Sequence, residues 1–160
     1  MKNFYVISLL FISAFSCSYA FAENEEAALE KYKERQRIVR AAATHVDNQN
    51  FGKAYELFVK SLTIDNDPSS NGLAMLAIAD FNYGGVGTKH DKAKAMVIWY
   101  AMALQLELTR EKHPWYLDDY GEKAGKKVRQ HKDEFSQTQL DQIVKLGKMV
   151  VEDNFKMLHT

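Results

Sequence analysis

Apolar residues recur at helical spacing along most of the chain, and the clearest run covers residues 74–103. Small and apolar positions fall first on one face of a helix and then, after a Gly-Gly-Val-Gly stretch at 84–87, on one face of a second helix. Glycine adopts positive φ at little cost, so the chain can reverse sharply there. Asp91 stands where the N-cap of the second helix belongs. The pattern predicts two helices packed back to back.

Half of this pattern occurs a second time, earlier in the chain. Asn50 and Ala54, followed by Leu57 and Phe58, repeat the spacing of Asp91, Ala95, Ile98 and Trp99. The intervening residues 63–72 are rich in Asp, Asn, Ser, Pro and Gly, and this composition predicts a loop. Two copies in register favour a repeat protein over the alternative, an ordinary helical bundle whose alanines and aromatics are only core.

The copy at residues 74–103 resembles the Sel-one-like repeat, a relative of the tetratricopeptide repeat. Gly85, Gly87 and Asp91 stand at the family's two glycines and aspartate, whereas Asn82 replaces its tyrosine and Thr88 its valine. The resemblance implies an all-α fold, a short α-solenoid of antiparallel helix pairs with about two repeats plus flanking and C-terminal capping helices. It also implies a non-catalytic adaptor that binds another protein through a helix-lined groove.

The first 22 residues have the features of a cleavable secretory signal. Lys2 precedes a nearly unbroken apolar run at positions 4–15, and Ala20-Phe21-Ala22 is a small-residue cleavage site. The run is shorter than the roughly 20 apolar residues that a spanning helix needs. We expect cleavage after Ala22, no transmembrane segment in the mature chain, and a location in the periplasm or outside the cell.

Cys17 is the chain's single cysteine and lies inside this predicted signal. Because the leucine usual three residues before a lipoprotein cysteine is missing, we do not expect lipidation there. Cleavage after Ala22 would leave a mature chain without cysteine and therefore without a disulfide.

Residues 23–160 are expected to form a single helical-repeat domain, with repeat-like units at about 36–63 and 73–106 and capping helices at about 115–158. Its first helix, at 23–46, has a predicted apolar stripe of Ala28, Tyr32, Val39, Ala42, Ala43 and Val46. The last helix begins at a capping box of Ser136 and Gln139. Its predicted apolar face consists of Leu140, Ile143, Val144, Gly147, Val150 and Val151.

Composition and motifs provide no catalytic site. Lys plus Arg and Asp plus Glu number 21 each, so nothing draws the chain to nucleic acid. We found no zinc-binding spacing, nucleophile elbow or P-loop, and we predict no catalytic, cofactor-binding or metal residue and no cofactor. Tyr83, Trp115 and Tyr116 lie at element ends and are the candidate partner contacts, although burial under the neighbouring helix is the simpler explanation of all three.

Two other functions remain open. A periplasmic immunity or inhibitor protein that plugs a toxin enzyme would also be small and secreted. A cell-wall-associated protein, either a hydrolase or a binder, is supported only by the predicted compartment.

Overall fold

The computed structural model describes the backbone of residues 4–64, 68–115 and 118–159, and the side chains of residues 25–64, 71–115 and 118–158. This part of the chain is all-α, as predicted, with six α-helices and two short 3-10 segments at Lys132–Glu134 and Lys156–His159. The helices are α1 (Phe4–Asp47), α2 (Phe51–Leu62), α3 (Pro68–Gly84), α4 (Lys92–Lys112), α5 (Asp119–His131) and α6 (Gln137–Glu152).

The chain divides into two units, residues 1–34 and residues 35–160. In the first unit, Glu30 and Lys33 form an exposed ion pair of 2.8 Å, and Leu29 and Tyr32 are half exposed. The predicted signal at 1–22 lies outside the described side chains. Among the residues that were described, no helix is both long and apolar enough to cross a membrane.

In the second unit, the helices pack as adjacent pairs around α4. Helix α3 contacts both α2 and α4, and α4 also contacts α5 and α6. Ala95, Met96, Ile98, Trp99 and Ala101 are fully buried, and at 100° per residue these positions spread around more than half of the helix circumference. Helix α4 is therefore the centre of a solenoid-like stack of helix pairs.

The turn between α3 and α4 has the geometry that its glycines predict. Gly85 and Gly87 have φ of 65° and 69°. The Val86 N–H donates to the Phe81 carbonyl at 3.1 Å, which closes α3 in a Schellman motif. Asp91 caps α4 by accepting from the Lys94 N–H at 2.9 Å. A Cβ on Gly87 would lie 2.4 Å from the Phe51 carbonyl, so this turn rests on the first residues of α2.

The loop predicted at 63–72 is shorter than expected, because α3 begins at Pro68. Proline is favoured in the first turn of a helix, where its missing N–H costs nothing. Gly72 is not a loop residue but a contact point: a Cβ there would lie 2.7 Å from the Tyr120 ring. Composition alone predicted a loop where a close helix contact requires glycine.

Two other expectations were also wrong in detail. The helix predicted from Trp115 begins instead at Asp119, after Asp118 accepts from the Tyr120 N–H at 3.0 Å as its N-cap. On α1, the buried face consists of Arg35, Ile38 and Ala42. Its partly buried neighbours are Val39 and Val46, whereas Ala28, Tyr32 and Ala43, which were predicted on the stripe, are exposed.

Candidate functional site

A groove with a largely apolar lining lies between α4, α6 and the second 3-10 segment. It encloses about 420 Å³. Polar side chains, among them Asp91, Lys94, Gln139 and Gln142, stand at its edges. Its apolar walls are formed by Val97, Ile98, Ile143, Leu146, Val150 and Leu158. We call this concavity the apolar groove.

Helix caps and one glycine hold the two long walls in place. Helix α6 begins at the predicted capping box, in which the Ser136 hydroxyl accepts from the Gln139 N–H and the Gln139 side chain accepts from the Ser136 N–H. Gly147 permits the close approach of α6 to α4, because a Cβ there would lie 2.5 Å from the Tyr100 ring. The walls are therefore fixed by local signals and by one tight crossing.

A reversal of the chain after α6 closes the end of the apolar groove. Asn154 and Phe155 have φ of 50° and 62°. The Phe155 N–H donates to the Val150 carbonyl at 2.8 Å, and the Phe155 side chain is buried. This reversal sends the last described residues back over the core, where Leu158 becomes part of the groove.

The rim of the apolar groove carries exposed apolar side chains. Leu146 is 43% and Met157 41% exposed. Met149, which lies outside the groove lining but only three residues after Leu146 on α6, is 40% exposed. Methionine side chains adapt their shape to different apolar surfaces. Apolar groups that remain in water around an apolar concavity are typical of a surface that binds a partner.

A second feature is a cluster of polar and aromatic side chains that joins α3, α4 and α5. The Tyr83 hydroxyl donates to Glu134 Oε1 at 2.5 Å and lies 2.8 Å from His131 Nδ1. Glu134 Oε2 accepts from Lys92 Nζ at 2.6 Å. The Tyr83 and His131 rings pack at 4.4 Å beside buried Trp99. We call these side chains the Tyr83 cluster.

Hydrogen-bond accounting assigns the proton positions in the Tyr83 cluster. The Tyr83 hydroxyl uses its single hydrogen to donate a hydrogen bond to the Glu134 carboxylate. Its oxygen can therefore only accept in its contact with His131. His131 Nδ1 lies 2.6 Å from the same carboxylate, and its single N–H is therefore shared between the Glu134 oxygen and the Tyr83 hydroxyl oxygen. The Tyr83 hydroxyl, both Glu134 oxygens, His131 Nδ1 and Lys92 Nζ all have partners, whereas the buried Trp99 Nε1 beside them has none among the described residues. The mutual pairing of the titratable groups favours a structural clasp over a reactive site.

The same contacts set the electrostatics of the Tyr83 cluster. Hydrogen bonds from Lys92, Tyr83 and His131 lower the pKa of Glu134 to about 2. The hydrogen bond to the Glu134 carboxylate raises the pKa of the Tyr83 hydroxyl, and the hydrogen bond to Glu134 also raises the pKa of Lys92. The cluster is therefore held as a carboxylate, a neutral phenol and an ammonium at neutral pH.

The structure separates the candidate contacts named from the sequence. Tyr83 lies beside Lys92, the first residue of α4, and is half-buried in its cluster. Trp115 follows the far end of α4 in a turn beside His113, and it is 78% exposed. The 21 residues of α4 span roughly 30 Å, so these two aromatics cannot meet at one point. Tyr116 lies outside the described residues.

The residues of the apolar groove were not singled out from the sequence as a site. Leu146 lines the groove but falls outside the apolar face predicted for α6, which runs through Ile143, Gly147 and Val150. Apolar side chains off the main stripe were the available signal. These side chains form a groove only because Leu158 packs beside them, and no local pattern in the sequence specifies the position of Leu158.

No protein-family model, curated protein or solved structure matches the chain. Within the described ranges, no group of three or more His, Cys, Asp or Glu side chains could hold a metal ion. The surface of this chain is therefore what indicates its function.

Proposed function

We propose that this protein is a non-catalytic, secreted adaptor of the Sel-one-like type that binds an amphipathic helix of a partner protein in the apolar groove. The observation that carries the proposal is the groove itself, an apolar concavity of about 420 Å³ with exposed Leu146 and Met157 at its rim. The resemblance of the repeat residues to an adaptor family supports the same conclusion.

The dimensions of the apolar groove favour a helical occupant. The stretch of α6 along the groove runs from Gln139 to Val150, which corresponds to roughly 16 Å. Anchors at i, i+4 and i+7 of a bound helix span about 10 Å and fit within this length. The glutamines at the edge are uncharged and can bond to the polar side of such a helix.

Secretion is proposed on the signal-like first 22 residues and places the partner in the periplasm or outside the cell. The test is the mass of the mature protein recovered from the producing bacterium. A chain that begins at Glu23 supports the proposal, whereas an intact Met1 or an acylated Cys17 contradicts it.

Crosslinking tests partner binding directly. A C-terminally tagged chain with an intact signal would be crosslinked in cells, and the captured proteins would be identified by mass spectrometry. The groove variant is Leu146→Glu and its matched control is Leu108→Glu, since Leu108 is an exposed leucine, at 39%, that does not line the groove. A signal-deleted chain controls for location.

The expected result is one dominant protein that is captured by the wild-type chain and by Leu108→Glu, and lost with Leu146→Glu. A synthetic peptide from that protein should bind the purified chain in a helical conformation. Equal capture by the two variants, or capture that does not need the signal, would contradict the proposal.

A further inference from the structure

A second groove, between α4 and α5, differs from the apolar groove in chemistry. It encloses about 510 Å³. Ala103 and Leu106 of α4, with Gly121 and Gly125 of α5, form its floor, and charged side chains form its walls. We call it the charged groove.

The two glycines on the floor of the charged groove differ in whether helix packing requires them. A Cβ on Gly121 would lie 2.9 Å from Leu106 Cβ and 2.7 Å from Asp118 Oδ2, so the helix crossing requires glycine. A Cβ on Gly125 would lie 3.5 Å from Ala103 Cβ, which is an ordinary contact. Glycine inside a helix is less favourable than alanine. Gly125 therefore weakens α5 without any packing need, and its effect is to keep the floor open.

Charge is separated along the charged groove. Asp119 and Glu107 lie towards the beginning of α5 and the end of α4, where Arg110 and Glu122 form an ion pair. Lys126 and Arg129 lie towards the other end. Both are exposed, and within the described part of the chain neither side chain has an ionic or hydrogen-bonded partner.

The two unpaired cations face the open floor. A Cβ on Gly125 would lie 3.5 Å from Arg129 Nη1, so the guanidinium lies over the glycine. Lys126 and Arg129 are three residues apart on a helix, which places their Cβ atoms about 5–6 Å apart. Alternate side chains of an extended peptide are about 6.7 Å apart on one face. An acidic residue at every second position matches this pair of cations.

We propose that the charged groove binds an extended acidic peptide segment of a partner, with its carboxylates on Lys126 and Arg129. Asp119 and Arg129 are ten residues apart on α5, or about 15 Å, which corresponds to four or five extended residues. The acidic end of the groove then receives a basic residue of the same peptide. This site is distinct from the apolar groove and does not depend on it.

The probe is a fluorescent five-residue peptide with glutamates at its first and third positions and a lysine at its fifth. A second peptide, with glutamines in place of the glutamates, is the control. Fluorescence anisotropy with the full mature chain at low salt gives Kd. The double variant Lys126→Gln/Arg129→Gln should bind the acidic peptide about tenfold more weakly or worse. The matched control is Lys145→Gln/Lys148→Gln, which removes two exposed cations of α6 that do not line the groove.

Gly125→Ala supplies the second test, because it should fill the floor and yet leave the protein folded. Its expected result is at least a tenfold loss of peptide affinity together with an unfolding midpoint equal to or above that of the wild type. Equal binding of the acidic and glutamine peptides would overturn the proposal. Equal weakening by the two charge variants, or wild-type affinity in Gly125→Ala, would also overturn it.

Discussion

The contact between the α3–α4 turn and α2 can be tested with three alanine substitutions in one turn. Gly84, Gly85 and Gly87 differ in what a new Cβ would meet. At Gly84, the last residue of α3, it would lie 3.4 Å from the Val86 side chain. At Gly85 it would lie 3.0 Å from His90 Cβ, and at Gly87 it would lie 2.4 Å from the Phe51 carbonyl carbon and oxygen.

These distances predict a graded loss of stability. Gly84→Ala should change the free energy of unfolding by less than about 1 kcal/mol, because the site is helical and the contact is ordinary. Gly85→Ala should cost about 1–2 kcal/mol, the cost of a left-handed conformation for a residue with a Cβ. Gly87→Ala pays the same conformational cost and must also displace the backbone at Phe51, so we expect a loss of about 3 kcal/mol or more.

The assay is urea unfolding followed by far-ultraviolet circular dichroism. Slopes of about 1–3 kcal/mol/M are typical, so a loss of 3 kcal/mol lowers the midpoint by about 1 M or more. An unchanged slope in all three variants is the control for a comparable unfolding transition. If Gly87→Ala loses no more stability than Gly85→Ala, the turn does not rest on the backbone of α2.

Three further predictions concern caps and charge. Asp91→Ala should cost about 1 kcal/mol in urea unfolding, whereas Asn50→Ala should cost little, because Asn50 makes no side-chain cap hydrogen bond. Gln49→Gly should stabilise the protein by up to about 1 kcal/mol in the same assay, since Gln49 has a φ of 57° at the end of α1. Glu134 has its pKa lowered from 4.5 to about 2, so its contribution is present above about pH 4.5 and is lost as the pH falls towards 2. Glu134→Gln should reduce the drop in thermal midpoint over that range, and an unchanged drop would contradict the assigned contacts.

Features of this fold that depend on neighbours in sequence could be predicted. The cap at Asp91, the capping box at Ser136 and the glycine turn are each specified within a few residues, and the structure has all three. The fold class follows from the same information, because helix pairs joined by short turns pack against each other. The apolar face of α6 through Ile143 and Val150 was also predicted, since it needs only the helical period.

Features that depend on distant residues could not be predicted. Gly72 is glycine because of Tyr120, and Arg35 is buried although a charged residue on a helix is normally expected to face water. Tyr83 was singled out as an aromatic at a helix end, but its partners His131 and Glu134 are about fifty residues away in sequence. The apolar groove has the same origin, because its walls come from separate helices and a chain reversal.

The two proposed sites use different halves of one helix. The apolar groove takes Lys94 and Val97 from the first half of α4, and the charged groove takes Ala103 and Arg110 from the second. Trp99, which is fully buried, packs against the rings of Tyr83 on α3 and His131 on α5. A partner with an amphipathic helix and a nearby acidic segment could use both grooves at once. A protein with only one of these features would occupy only one groove and would bind more weakly, and specificity is such a difference in binding free energy between partners.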